Sequence, residues 1–192
     1  MMNKIRKLRE KKGFTLVELI VVIAIIAILT AVLVPLINNW TQQAAYTTLN
    51  DGAQTVSNSV NEAISKVIAG GSPLSSSITA VTGTKSAEGE NNLSITVGSA
   101  TCTADETTFK AITNPTVEQK IAYEIAKMLD ATMPGTSAFY AAISNGAVTG
   151  IIYTTSSATA PAGTETIKAV DGFDGYEIDG GSAVGVTGKY KV

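Results

Sequence analysis

Residues 11–37 read KKGFTLVELIVVIAIIAILTAVLVPLI, and between Leu19 and Ile37 the one polar side chain is Thr30. Nineteen residues at the α-helical rise extend about 28 Å, close to one hydrocarbon thickness of a bilayer. Ahead of this run stand Lys4, Arg6, Lys7, Arg9, Lys11 and Lys12 against Glu10 alone, a net charge of +5 before Gly13. Basic residues on that flank favour a cytoplasmic N-terminus and an outward body. From Phe14 onward 8 basic residues face 15 acidic ones, a net charge of −7. An acidic body lacks the electrostatic footprint of a nucleic-acid binder, so nucleic acid is not an expected partner.

Three kinds of segment share this hydropathy. An ordinary cleaved signal peptide has a shorter apolar region and ends at a small-residue cleavage site. Here VPLINNW follows, with no Ala-x-Ala pattern. A permanent signal anchor has no need of an acid at the start of the apolar run, yet Glu18 stands there. A carboxylate in such a setting is expensive unless paired or protonated, which singles Glu18 out.

Beyond Pro35 the pattern changes without stopping. Ala45, Leu49, Ala53, Val56, Val60, Ile64 and Val67 recur at three- or four-residue steps, an apolar stripe on a helix whose other face is Asn, Gln, Thr and Ser. Gly70-Gly71-Ser72-Pro73 supplies a stop. One nearly continuous helix is therefore expected from Phe14 to about Ala69, on the order of 84 Å long. Pro35 predicts a kink or loosened stretch, and Asp51-Gly52 a second weak point.

Residues 70–92 read as a Gly/Ser/Thr-rich connection. A strand is expected from Asn91 through the alternation NLSITVGSATCT, and a second helix from Thr116, which forms a capping-box pattern with Gln119. Val117, Ile121, Ile125, Met128 and Leu129 give that helix its apolar face, and Met133-Pro134-Gly135 ends it. Strands at Ala138–Ile143 and Val148–Thr155 flank Asn145-Gly146, favoured residues of a hairpin turn. Shorter strands are expected at Glu165–Val170, Tyr176–Ile178 and Val184–Val192. The expected fold is α+β: a long N-terminal helix, its apolar half protruding, packed on an antiparallel β-sheet head. The expected segments are a leader over 1–13, a transmembrane or filament-core half-helix over 14–37, an amphipathic half over 38–69 and a head over 70–192.

The junction Lys11-Lys12-Gly13-Phe14-Thr15-Leu16-Val17-Glu18 resembles the processing site of type IV prepilins, the class III signal. A short basic leader, Gly13, Phe14 and an acid at the fifth position after the glycine all agree, and Pro35 falls where the family's helix proline does. The motif covers about residues 4–37; the head resembles the family in architecture alone. The resemblance implies cleavage between Gly13 and Phe14 by a membrane-embedded prepilin peptidase, then methylation of the new amine on Phe14. Glycine suits a scissile position because its backbone can approach an active site closely. The resemblance also implies that Glu18 and Pro35 serve assembly, Glu18 by pairing with the Phe14 amine of its own chain or a neighbour's. Phe14 lies four residues before Glu18, on the same face if both are helical. The implied partners are further copies in a helical filament, the peptidase, an assembly platform with its ATPases, and the membrane before assembly. The implied life history is a single-pass precursor in the inner or cytoplasmic membrane, then an extracellular pilus for adhesion, aggregation or twitching motility. A pseudopilin of a type II secretion or competence DNA-uptake system is the alternative.

The remaining residues point away from catalysis. The chain has no histidine and a single cysteine, Cys102, so neither an intramolecular disulfide nor a cysteine metal cluster can form. No enzyme activity and no cofactor are expected. Cys102 reads as a small core hydrophobe, with an intermolecular disulfide as the lesser reading. Asp171, Asp174, Glu177 and Asp179 cluster in DGFDGYEIDGG, where hard oxygen ligands near glycine turns can bind calcium. Their spacing does not match an EF-hand loop, and a solvated acidic turn is the preferred reading. Ala24, Ala27 and Ala31 allow close helix approach, and Thr30 can bond back to its own helix or sideways.

Overall fold

The computed structural model describes residues 13–74, 77–179 and 181–191. The leader expected over 1–13 thus lies, apart from Gly13, outside the described residues. The chain divides into two compact units between Thr41 and Gln42. Helix α1 runs from Leu16 to Ala69, 54 residues, and its helical assignment continues through both Pro35 and Gly52. After it come β1 (Ala80–Lys85), β2 (Leu93–Val97), β3 (Ala100–Cys102), α2 (Glu106–Lys110) and α3 (Val117–Leu129). Strands β4 (Ser137–Ser144), β5 (Ala147–Thr154), β6 (Ile167–Ala169), β7 (Tyr176–Ile178) and β8 (Ser182–Gly188) complete the order.

The eight strands form one sheet in the order β3-β2-β1-β4-β5-β8-β7-β6, and every neighbouring pair is antiparallel. A long apolar helix followed by an eight-stranded antiparallel sheet is an α+β, pilin-like architecture. Within the head, Ala53, Val56, Val60 and Ile64 of α1 share one core with Ile121, Ile125 and Leu129 of α3 and with Val81, Ile95, Phe139 and Ile151 of the sheet. Side chains alternate across a strand, so Tyr140, Ala142 and Ile152 point the other way, into a smaller cluster with Val184, Val186 and Tyr190.

The α1 stripe departs from expectation at its start. Ala45 is exposed and its neighbour Tyr46 is buried, as is Ala63. Gly52, read as a weak point, sits under the Tyr153 ring, where a β-carbon would overlap it. Gly185 of β8 lies against the α1 backbone, and a β-carbon there would overlap the Leu49 carbonyl oxygen. Glycine at this position lets the helix seat on the strand without a side chain between them.

Other differences have local causes. The expected connection over 70–92 contains β1, a central strand paired to both β2 and β4. Its inward positions are Val81, Gly83 and Lys85, a glycine covered by Phe139 and a buried lysine, so no apolar alternation announces it. Lys85 Nζ is 3.7 Å from Asp130 Oδ1 and also donates to the Asp130 carbonyl. The same carboxylate accepts from Asn91 N at 2.6 Å and Leu93 N at 3.2 Å. Asp130, at the C-terminal cap of α3, thus ties the helix end to β1 and to the entry of β2. The strand expected from Asn91 is two, β2 and β3, folded back at Gly98 (φ +61°). The last strand stops at Gly188, also at positive φ, and Tyr190 follows it.

Candidate functional site

The N-terminal segment is built around Thr15. Thr15 ends the non-helical stretch, and its carbonyl accepts the first α1 bond, from Leu19 N at 3.2 Å. Its hydroxyl oxygen accepts from Glu18 N at 3.2 Å, while Thr15 N and Oγ1 each donate to Glu18 Oε2 at 2.8 Å. This is a reciprocal capping box, which satisfies donors that a helix start leaves free. Glu18 therefore has a partner in the full-length chain, and that partner is Thr15. Phe14 lies outside α1, so Phe14 and Glu18 do not share a helical face here. The sequence carries the signal, since Thr-x-x-Glu immediately before an apolar run is the capping-box signature.

Beyond the cap the helix is apolar all round, and none of the described residues covers it. Phe14 is 91% exposed, and from Leu16 to Ile37 every large hydrophobic is between 40% and 72% exposed. The segment is long and apolar enough to cross a bilayer. Thr30 Oγ1 donates to the Ile26 carbonyl at 2.6 Å, so its hydroxyl is satisfied within the helix. Pro35 lies inside α1, five residues beyond Thr30.

The acidic turn has other work in the structure. Glu177 Oε1 accepts from Tyr46 Oη at 2.8 Å, and Asp179 Oδ1 pairs with Lys168 Nζ at 2.7 Å. The Lys168 hydrogen bond, then its charge, holds the Asp179 carboxyl below the usual carboxylate range. Asp174 uses its backbone: its N–H donates to Gln43 Oε1 at 3.0 Å and its carbonyl accepts from Asn50 Nδ2 at 3.3 Å. Asp171 is exposed. Among the described residues no group of three or more His, Cys, Asp or Glu is arranged to hold a metal ion. The turn is instead docked onto α1 by Gln43, Tyr46 and Asn50, with Phe173 against the Tyr46 ring at 5.8 Å. Burial, then the Glu177 hydrogen bond, pushes the Tyr46 phenol up.

Cys102 is half-buried against the core and lines a cleft of about 180 Å³ with Thr101, Asp105 and Phe109. Burial pushes its thiol up, away from the thiolate form that reacts. On the other face of the sheet, Tyr190 Oη donates to the Gly163 carbonyl at 2.9 Å, with its ring edge-on to Tyr140 at 6.5 Å. Lys189 Nζ lies 4.9 Å from the Tyr190 ring centre.

With this geometry in view, residues 8–34 match the family model described as the prokaryotic N-terminal methylation motif. That stretch spans the end of the basic N-terminal segment, Gly13, Phe14, the Thr15–Glu18 cap and most of the exposed apolar run. The match supports a type IV pilin-like prepilin. No curated protein and no solved structure matches the chain.

Proposed function

We propose that the chain is a structural subunit of a type IV pilus, made as a membrane-anchored prepilin and polymerised through α1 into an extracellular fibre. The observation that carries this reading is a helix of 54 residues that begins inside a methylation motif and leaves its apolar start uncovered. A bare apolar face of that length must be covered, first by lipid and then by the same helix of other copies. In this reading the peptidase cuts between Gly13 and Phe14, and the Phe14 amine is methylated. The cut removes the basic leader and leaves the anchor intact.

Glu18 then has two successive partners. In the precursor its carboxylate rests on Thr15; in the fibre it meets the Phe14 amine of a neighbour. A desolvated charge pair sets register more surely than it adds net stability, which suits a subunit that must stop at one axial position. Pro35 lacks a backbone donor, and supplies a place where the packed helix can lengthen or loosen. Adhesion, aggregation or motility is the use such a fibre would serve, and the chain acts in it as a building block, with no catalytic role.

The test is mass spectrometry of protein sheared from the cell surface. A chain starting at methylated Phe14 within fibres is the expected result; intact leader in that material overturns the reading. Immunogold microscopy completes it: long surface fibres are expected, whereas short fibres confined to the envelope would assign the chain to a secretion or uptake machine.

A further inference from the structure

The apolar run has a boundary marker on its outer side. Trp40 is the chain's single tryptophan and stands three residues after Ile37, between Asn38-Asn39 and Thr41. It is 64% exposed on α1. From Gly13 to Ser65 the chain has no lysine or arginine, so no basic side chain on this stretch of the helix can fix the end of the run by reaching for phosphates. The nearest other interfacial aromatic, Tyr46, is committed to the head core at 9% exposure.

We infer that Trp40 is an interfacial anchor whose partner is the headgroup layer of a phospholipid bilayer. The inference rests on the membrane stage of the function proposed above. Centring Leu19–Ile37 on the bilayer puts the ends of the run about 13–14 Å from the midplane, at 1.5 Å per residue. Trp40 then lies about 18 Å out, past the hydrocarbon edge at about 15 Å and inside the headgroup region that ends at about 20–22 Å. An indole suits this layer because its ring is apolar and its N–H still needs an acceptor. Next to it, Thr41 Oγ1 donates to the Asn38 carbonyl at 2.9 Å, which keeps the helix hydrogen-bonded where the surroundings change polarity. The anchor fixes how deep α1 rides, and hence which turn of the helix the assembly machinery meets.

Because the chain has one tryptophan, its fluorescence reports this position without substitution. Full-length protein is reconstituted into phosphatidylcholine vesicles carrying bromines either near the top or near the end of the acyl chains. The expected result is blue-shifted emission relative to the urea-denatured chain, with shallow bromines quenching at least about twofold more than deep ones. Strongest quenching by deep bromines, or acrylamide quenching equal to that of the denatured chain, overturns the anchor. Flotation of the same vesicles separates the two proposals. Protein that floats but has a water-like Trp40 sinks the anchor alone; protein that does not float sinks the membrane stage with it.

Discussion

The two parts of α1 on either side of the Thr41/Gln42 boundary share one backbone pattern and almost nothing else. In the first, Ile20, Ile26 and Leu33 are all more than half exposed, and apolar residues occupy every side of the helix. In the second, Ala53, Val56, Val60 and Ile64 are at most 1% exposed, and the opposite face is Thr, Gln, Asn and Ser. Hydrogen bonding along a helix is indifferent to this change. What differs is the covering that each pattern demands: a stripe calls for one partner surface, and an all-round apolar cylinder calls for a solvent. The second part finds its partner within the chain, in the sheet and α3. The first finds none among the described residues, and that asymmetry is what makes the chain a candidate for assembly.

Removing the only charge from the first part should have the largest consequence. Glu18→Ala is expected to lower the yield of sheared fibres by at least about tenfold, since a pairing group inside an apolar bundle has no substitute. Leader removal, followed by immunoblot of the shortened chain, should be largely intact. Normal fibre yield from this variant would erase the functional contrast between the two parts.

The second part and its head should respond in stability. Asp130→Ala leaves Lys85 buried without its carboxylate and strands two backbone N–H groups, so a loss of about 3–5 kcal/mol is expected. Urea unfolding of full-length protein in detergent, followed by circular dichroism, measures it. Gly185→Ala forces a methyl against the Leu49 carbonyl and should cost about 1–3 kcal/mol by the same assay, while fibre-independent membrane association stays unchanged. Unaltered stability in that variant would mean that α1 and β8 do not seat as closely as described.

The smallest effect is a pH dependence. Burial raises the phenols of Tyr46, Tyr153 and Tyr190, so folding favours their neutral forms. That contribution is fully present below the ordinary tyrosine value of about 10 and is lost as pH rises through the higher folded values. Thermal melts between neutral pH and the alkaline range should decline accordingly. Tyr46→Phe should remove part of the decline and about 1 kcal/mol at neutral pH, through the lost bond to Glu177. A melting temperature flat with pH would show these phenols to be solvated.

Much of this was legible because its signals are local. The apolar run, the stripe after it, the Thr116–Gln119 cap of α3 and the Asn145-Gly146 hairpin each declare themselves within a few residues, and the structure has all four. Strand β1 was not legible, since its inward residues are chosen by Phe139 and Asp130, more than forty residues away. The acidic turn reads as solvated for the same reason: its docking by Tyr46 and Gln43 and its pairing with Lys168 come from residues far from it or across a strand pair. The shift from Ala45 to Tyr46 in the stripe belongs with it, because the docked turn is what buries Tyr46. At Glu18 a second local signal is present: Thr15 is its partner in the full-length chain, where Phe14 N is still a peptide nitrogen.

In the proposed fibre, the fastening at Tyr190 would also decide how the head fares outside the cell. Tyr190 fastens the chain after the last strand with its phenol on the Gly163 carbonyl of the 156–166 loop and its ring against Tyr140 of β4, with no sulfur involved. Thiol-rich or anoxic surroundings, which would open a cystine-closed loop, leave this latch untouched.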